Sequence, residues 1–119
     1  MNKRRIGQEK EQKAAEYLKK NGMEILEVNY RNRTGEIDII GMHQGFLVFV
    51  EVKYRKNADK GYAIEAVDFR KQRQICKVAN FYRMMHGVGD FMPIRYDVVG
   101  IEGEKITWIL NAFNHIYSR

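Results

Sequence analysis

Hydrophobic positions along the chain follow two different periods, which predict two helices and several strands. Apolar residues recur every three or four positions in residues 6–21, where Ala14 and Leu18 lie on one helix face and Gly22 favours a left-handed stop. A second helical stripe runs through residues 65–86 and ends before a glycine-rich segment. Both segments are therefore predicted to form helices that pack through one apolar face.

The remaining segments have the pattern of strands, with alternating apolar positions and many β-branched or aromatic residues. Turn-like sequences separate the segments, which cover residues 23–30, 36–41, 46–55, 94–102 and 105–110. The order αβββαββ predicts an α/β or α+β domain whose helices pack on a mostly antiparallel or mixed sheet. A chain of 119 residues suffices for one such domain, residues 1–119, and is too short for two.

The charge and the cysteine content of the chain limit the partners and the cellular compartment that the protein can have. The chain has 21 Lys and Arg against 15 Asp and Glu, a net charge of +6 that favours a polyanionic partner. Its single cysteine, Cys76, excludes an internal disulfide framework and fits a reducing compartment. The basic N-terminus is not followed by an apolar stretch, so no secretory signal or membrane segment is expected, and a cytoplasmic location is predicted.

Four charged residues of the second and third strands carry the most informative pattern. A turn centred on Gln44-Gly45 would place Asp38 opposite Glu51 and Glu36 opposite Lys53. Carboxylates that face each other across strands repel, and a divalent cation such as Mg²⁺ would compensate through oxygen ligands. The other face of this hairpin is predicted to be apolar and buried: Ile37, Ile39, Val48, Val50 and Val52.

Two interpretations of this cluster remain open at the level of sequence. In one, Asp38 and Glu51 bind metal while Lys53 orients an attacking water or stabilises charge on a phosphate. In the other, Glu36 pairs with Lys53 in an ordinary surface ladder and the other carboxylates are solvated. Glu11 shares the apolar stripe of the first helix, so it either approaches the hairpin as a third carboxylate or only complements the helix N-terminus.

The spacing of these residues resembles the active-site signature of the PD-(D/E)XK nuclease superfamily. Gly35-Glu36-Ile37-Asp38 is followed after twelve residues by Glu51-Val52-Lys53. The wider pattern is similar to the bacterial YraN family within that superfamily, and it is carried by Gly7, Glu11, Ala14-Ala15, Tyr17-Leu18, Gly22, Asn29, Phe49-Val50, Arg55, Lys71 and Arg95-Tyr96-Asp97-Val98-Val99. The αβββαβ core also resembles that of archaeal Holliday-junction resolvases.

The resemblance implies a restriction-endonuclease-like fold, a central mixed sheet flanked by helices, and a Mg²⁺-dependent endonuclease acting on DNA, including branched DNA. Mn²⁺ would substitute for Mg²⁺. Asp38, Glu51 and the Val52 carbonyl would bind the metal, Glu11 would reach it through water, Lys53 would lie beside the nucleophilic water, and Glu36 would orient Lys53. The alternative is a nucleic-acid-binding module that keeps this fold without catalysis.

A basic surface is predicted beside this site. Its members are Arg55, Lys56, Lys60, Arg70, Arg73 and Lys77. They could follow a phosphate backbone or form a solvated helix face. Lys71 lies on the apolar stripe of the second helix, so it either reaches the active site or extends past the sheet edge. Residues 111–119 can pack, extend or form a homodimer contact, and the sequence leaves these alternatives open.

Overall fold

The computed structural model describes residues 3–55 and 67–117, and it has the predicted order of two helices and five strands. The elements are α1 (Lys3–Lys20), β1 (Glu24–Asn32), β2 (Gly35–His43), β3 (Phe46–Arg55), α2 (Phe69–Met85), β4 (Ile94–Glu102) and β5 (Lys105–Phe113). Lys56 and Lys60, two of the predicted DNA contacts, lie outside the described residues. Neither described helix has the combined length and apolar character needed to cross a bilayer.

The five strands form one mixed sheet in the order β1-β2-β3-β4-β5. Neighbouring strands are antiparallel except β3 and β4, which run parallel because the chain crosses over through α2 between them. Together with the two helices this is the α/β architecture predicted from the sequence, and it is compatible with a restriction-endonuclease-like core.

Each helix contributes to a separate hydrophobic core. On α1, Ala14, Ala15 and Leu18 are buried in one cluster with residues of β2, β3 and β4. On α2, the buried stripe includes Ile75, Val78 and Tyr82, and it belongs to a second cluster with Phe49 and Tyr96 among its members. The predicted apolar stripes of both helices are thus confirmed, and the polar residues interspersed on them are brought close to the sheet.

The prediction of one apolar face for the β2–β3 hairpin is wrong at one position, Ile37. Ile39, Val48 and Val50 are buried in the α1 cluster, whereas Ile37 is buried in the α2 cluster. The alternation of β2 is therefore interrupted at Asp38. The neighbouring strand is irregular at the same level, because Asn29 lies opposite Asp38 and has a left-handed φ of 61°.

The C-terminal segment packs against the α2 core. Strand β5 extends three residues further than predicted, to Phe113, whose ring stacks on Tyr96 at 5.0 Å between centroids. The Tyr96 hydroxyl is 2.6 Å from Nδ1 of His115, and Ile116 packs against the same cluster. Packing is thus the alternative that the structure favours for the described residues of this segment.

A buried polar network holds β4 in place between its neighbours. Arg95 and the fully buried Asp97 form a two-point ion pair with both distances 2.9 Å. Asp97 also accepts hydrogen bonds from the Trp108 side chain and from the backbone N–H of Asn111. Arg95 completes the network at Nδ1 of His43 in β2, 2.8 Å away. The network is fully paired and fixes β4, the strand next to the one that carries Glu51.

Candidate metal centre

The predicted carboxylates meet in an open cleft where β2 and β3 stop pairing. The described β2–β3 ladder ends at Ile39 and Val50, although both strands continue beyond this pair. A cleft of about 320 Å³ opens there, and residues of α1, β1, β2, β3 and α2 line it. We call it the acidic cleft; its lining residues are Gly7, Gln8, Lys10, Glu11, Asn29, Arg31, Glu36, Asp38, Glu51, Val52, Lys53, Tyr54 and Lys71.

Asp38 is fixed at the floor of the acidic cleft by the backbone of β3. Its Oδ2 accepts a hydrogen bond from the Val52 N–H at 2.7 Å, in the place where a strand partner would otherwise bond. The N–H and the carbonyl of one residue point to the same side of an extended strand. The Val52 carbonyl therefore faces Asp38 and the cleft, which agrees with its predicted position as an oxygen donor.

Three carboxyl groups converge at this point. Asp38 lies close enough to Glu51 and Glu11 to affect the ionisation of both. Burial, followed by the nearby Asp38 carboxylate, raises the pKa of Glu51 to about 9 and that of Glu11 to about 8. Without a divalent cation the fold therefore disfavours the ionised forms of both glutamates, and nearby lysines offset this only in part for Glu51. The three-carboxylate interpretation of Glu11 agrees with the structure, which turns this side chain toward the sheet.

Two lysines balance the negative charge of the cleft to different extents. Nζ of Lys71, on α2, lies 3.5 Å from Oε2 of Glu51. Lys71 and Lys53 both lower the pKa of Glu51, and Lys71 does so more strongly. Lys53 lines the cleft two residues beyond Glu51, as predicted. Of the two alternatives for Lys71, the structure thus favours the one in which this side chain reaches the site.

Glu36 is the predicted site residue whose partner differs from expectation. Its Oε2 lies 3.1 Å from Nε of Arg31, which is also its partner in the β1–β2 ladder. The expected pair with Lys53 is wrong, because the β2–β3 ladder has ended before Glu36 is reached. Glu36 remains on the wall of the acidic cleft and raises the pKa of Glu11 through its charge.

A second cleft continues from the first along α2. It has a volume of about 510 Å³, and we call it the basic cleft; its lining residues are Thr34, Asp68, Arg70, Lys71, Arg73, Gln74 and Lys77. Lys71 lines both clefts. Three of the predicted DNA contacts, Arg70, Arg73 and Lys77, are thus grouped on one wall, whereas Arg55 at the end of β3 lines neither cleft.

The β1–β2 turn approaches α2 closely at the basic cleft. Gln74 donates a hydrogen bond from Nε2 to the Thr34 carbonyl at 3.3 Å. Gly35 has a φ of +149°, and a Cβ there would lie 2.8 Å from Gln74 Nε2, so a side chain would both strain the backbone and displace Gln74. The glycine of the Gly35-Glu36-Ile37-Asp38 motif therefore sets the distance between the turn and the basic helix face.

The acidic cleft has oxygen donors of the kind that small divalent cations prefer. Within residues 3–55 and 67–117, no group of three or more His, Cys, Asp or Glu side chains is placed so that it could hold a metal ion by itself. The site instead offers the Asp38 and Glu51 carboxylates and the Val52 carbonyl, with Glu11 close to Asp38. A few oxygen donors in an open cleft fit Mg²⁺ or Mn²⁺, which keep several waters, and do not fit Zn²⁺.

The sequence prediction missed several residues that line the acidic cleft. Gln8 and Lys10 come from the first turns of α1, and Asn29 and Arg31 come from β1. The two β1 residues could have been found from the β1–β2 register, since a turn at residues 33–34 pairs Arg31 with Glu36 and puts Asn29 opposite Asp38. The α1 residues required the helix orientation, which the sequence alone does not give.

Comparison with known proteins points to one family. The model of that family, described as "Uncharacterised protein family UPF0102", matches residues 10–101. A UPF0102 protein of Lachnoclostridium phytofermentans is 47% identical over 114 residues, covering 96% of this chain and 97% of the relative. Relatives from Fusobacterium nucleatum and Legionella pneumophila are 46% and 42% identical, covering 93% and 87% of this chain and 92% and 90% of their own lengths.

Proposed function

The chain belongs to the uncharacterised protein family UPF0102, also called the YraN family, and we propose that it is a divalent-metal-dependent endonuclease that hydrolyses phosphodiester bonds of DNA. The family name assigns no activity, so the proposal comes from the site and from the likeness of its motif to the PD-(D/E)XK nucleases. One observation carries the proposal: the carboxylates of Asp38, Glu51 and Glu11 converge in a cleft that adjoins a row of cations.

The destabilised carboxyl cluster supports a cation-binding role. The structure raises the pKa values of Glu51 and Glu11 to about 9 and about 8, because their charged forms are buried and lie beside Asp38. A protein without use for this cluster gains little from such an arrangement, since like charges across strands are destabilising. Asp38, Glu51 and the Val52 carbonyl would hold Mg²⁺, and Glu11 would bind one of its waters.

The residues around the cluster suit phosphoryl chemistry. A divalent cation in such a site supplies positive charge against the phosphate and favours ionisation of the attacking water. Lys53 lines the same cleft, where its ammonium group can hold that water and offset charge that develops on the phosphate oxygens. The Val52 N–H keeps the Asp38 carboxylate oriented throughout, since its 2.7 Å bond does not depend on the metal.

The basic cleft supports a polyanionic substrate. Arg70, Arg73 and Lys77 recur along α2 at three- and four-residue spacing, so they project from one helix face and can follow one phosphate backbone. Because this cleft shares Lys71 with the acidic cleft, a bound backbone would lead directly to the carboxylates. We assign this reaction to the cytoplasm, where Cys76, buried and unpaired, remains reduced.

Cleavage assays with metal and site variants test the proposal. Supercoiled plasmid and a synthetic four-way junction should be cleaved in Mg²⁺ or Mn²⁺ and left intact in EDTA. Asp38→Asn and Lys53→Ala should each lose at least about 100-fold in rate, the usual scale for a removed ligand or charge-stabilising group. A panel of linear, flapped and four-way substrates then compares duplex with branched DNA.

Binding measurements separate the nuclease from a binding module with the same fold. Mg²⁺ should raise the melting temperature of the wild type in proportion to the logarithm of its concentration, and Asp38→Asn should abolish this response. DNA binding without cleavage by a wild type that does bind Mg²⁺ would favour the non-catalytic module. An Asp38→Asn variant with an unchanged Mg²⁺ response would remove the metal site from the proposal.

A further inference from the structure

Lys71 occupies the junction between the acidic and the basic clefts. It is in the first turn of α2, where its backbone N–H donates a 2.9 Å hydrogen bond to the Asp68 side chain that caps the helix. Its Nζ reaches Oε2 of Glu51 at 3.5 Å, and the side chain is 31% exposed. The backbone is therefore fixed while the ammonium group, at the end of four rotatable bonds, has room to move.

The contact with Glu51 places a cation where the carboxyl cluster most needs one. The Glu51 side chain is only 9% exposed, and Asp38 adds negative charge beside it. An ammonium group at this distance neutralises part of that charge, as a divalent cation would do more completely. Lys71 and a metal ion would thus compete for the same carboxylate.

Lys71 also lines the basic cleft, whose residues suit a different ligand. Arg70, Arg73 and Lys77 accompany it in the basic cleft, and Asp68 is the only acidic residue among the described lining residues there. Asp68 is already bonded to the start of α2 through its side chain. An ammonium group displaced from Glu51 would therefore enter surroundings that favour a phosphate.

We propose that Lys71 is the resident counter-charge of the metal-free acidic cleft, that a divalent cation displaces it from Glu51, and that the displaced ammonium group binds a DNA phosphate at the junction of the clefts. This inference rests on the proposed function. Lysine is suited to both positions because its ammonium group is a compact point charge with three rotatable donors, whereas the planar guanidinium of arginine binds best in one fixed orientation.

One substitution should change two affinities in opposite directions. Lys71→Met keeps the length and the apolar stem of the side chain and removes the charge. Titration calorimetry with Mn²⁺ alone should show binding about 5-fold tighter than in the wild type, since the competitor for Glu51 is gone. Fluorescence anisotropy with a duplex oligonucleotide in saturating Ca²⁺ should show binding about 5-fold weaker, because a phosphate contact is lost.

Matched variants distinguish displacement from a general loss of charge. Lys77→Met removes the same charge about 9 Å further along α2, so it should weaken DNA binding and leave the Mn²⁺ affinity unchanged. Lys71→Arg should keep Mn²⁺ affinity near that of the wild type. Asp38→Asn should abolish the heat of Mn²⁺ binding, which would show that the ion binds in the acidic cleft. If Lys71→Met fails to fold, Lys71→Gln replaces it.

The possible results separate this inference from the nuclease proposal. Unchanged or weaker Mn²⁺ binding in Lys71→Met would overturn the competition, and unchanged DNA affinity would overturn the phosphate contact, even if the wild type cleaves DNA. Conversely, a wild type that cleaves no DNA but whose Lys71→Met variant binds Mn²⁺ more tightly would contradict the nuclease proposal and support Lys71 as the counter-charge of the cleft.

Discussion

Glu51 is the residue at which the fold most strongly opposes ionisation. Its side chain is 9% exposed, and it lies beside the Asp38 carboxylate, which disfavours a second negative charge. The nearest opposing charge comes from Lys71 at 3.5 Å. A carboxyl group in these surroundings holds a proton more readily than a free glutamate and gives it up when a stronger cation binds, so its protonation, metal binding and folding are linked.

This linkage predicts how the stability of the metal-free protein changes with pH. The pKa of Glu51 is raised from 4.5 to about 9 in the folded state, and that of Glu11 to about 8. Between pH 4.5 and the raised pKa values, the folded chain binds more protons than the unfolded chain. The two glutamates therefore contribute stability that is fully present below pH 4.5 and is lost as the pH rises through their pKa values in the folded state.

We therefore expect the melting temperature in EDTA to fall by at least about 4 °C between pH 6 and pH 9, a change worth at least roughly 1 kcal/mol in a domain of this size. Glu51→Gln, which cannot ionise, should flatten this dependence, and saturating Mg²⁺ should reduce it because the metal binds the ionised form. Differential scanning fluorimetry across this range provides the measurement. Parallel curves for wild type and Glu51→Gln would contradict the pKa assignment.

At this scale the sequence predicts which residues meet but not their energetics. The register of the β2–β3 turn was sufficient to bring Asp38 near Glu51, and the described ladder has that register. Burial of Glu51 also requires the two helices, and its strongest cation comes from Lys71, twenty residues further along the chain. No local sequence pattern indicates that residues this far apart in the chain meet, so the raised pKa values of Glu51 and Glu11 could not be predicted from the sequence.

At the scale of elements, an irregularity in β1 and β2 positions Asp38 in the site. Asn29 has a left-handed φ of 61° in the middle of β1, opposite Asp38. On either side of Asp38, Ile37 and Ile39 are buried in different clusters. This break ends the regular alternation and leaves Asp38 free to accept the Val52 N–H at 2.7 Å.

The Asn29 backbone can be tested with two substitutions. Asn29→Ala should lower the free energy of unfolding by about 1 kcal/mol, because an alanine Cβ disfavours the left-handed conformation. Asn29→Gly loses the same side chain but tolerates this φ, so its stability should stay close to that of the wild type. Urea denaturation measures both. Equal losses in the two variants would mean that the Asn29 side chain, and not its φ, stabilises the strand.

The regular elements were predicted well, and the irregular ones were not. Strands β3 and β4 have the predicted bounds because they are rich in β-branched and aromatic residues. Strand β5 passes through Asn111, whose φ is 54°, whereas the sequence predicts that the strand ends at residue 110. Asp97 accepts the Asn111 N–H at 2.9 Å and so compensates for the irregular geometry, a contact between strands that local propensity cannot reveal.

At the scale of the whole molecule, the net charge of +6 is unevenly distributed. The acidic cleft contains four carboxyl groups, while the adjoining basic cleft has four cations, with Lys71 common to both. The acidic cleft also contains Lys10, Arg31 and Lys53, so its carboxyl groups are surrounded by basic residues. A positive groove that leads to this carboxyl cluster attracts a polyanion over a distance and leaves the carboxylates to bind a small cation. The sequence reveals the excess of positive charge, but its distribution depends on the packing of α2 beside the β1–β2 turn.

The distribution of charge predicts which cations make DNA binding sensitive to salt. Each phosphate contact to a duplex adds about 0.9 to the slope of log K against log salt. Arg70→Ala combined with Arg73→Ala should thus lower this slope by about 2 in saturating Ca²⁺. Lys19→Ala combined with Lys20→Ala removes as much charge from the last turn of α1, away from both clefts, and should leave the slope unchanged. Anisotropy titrations from low to moderate salt compare the two variants. A decrease only in the α1 variant would mean that DNA follows another face, since net charge alone would affect both variants alike.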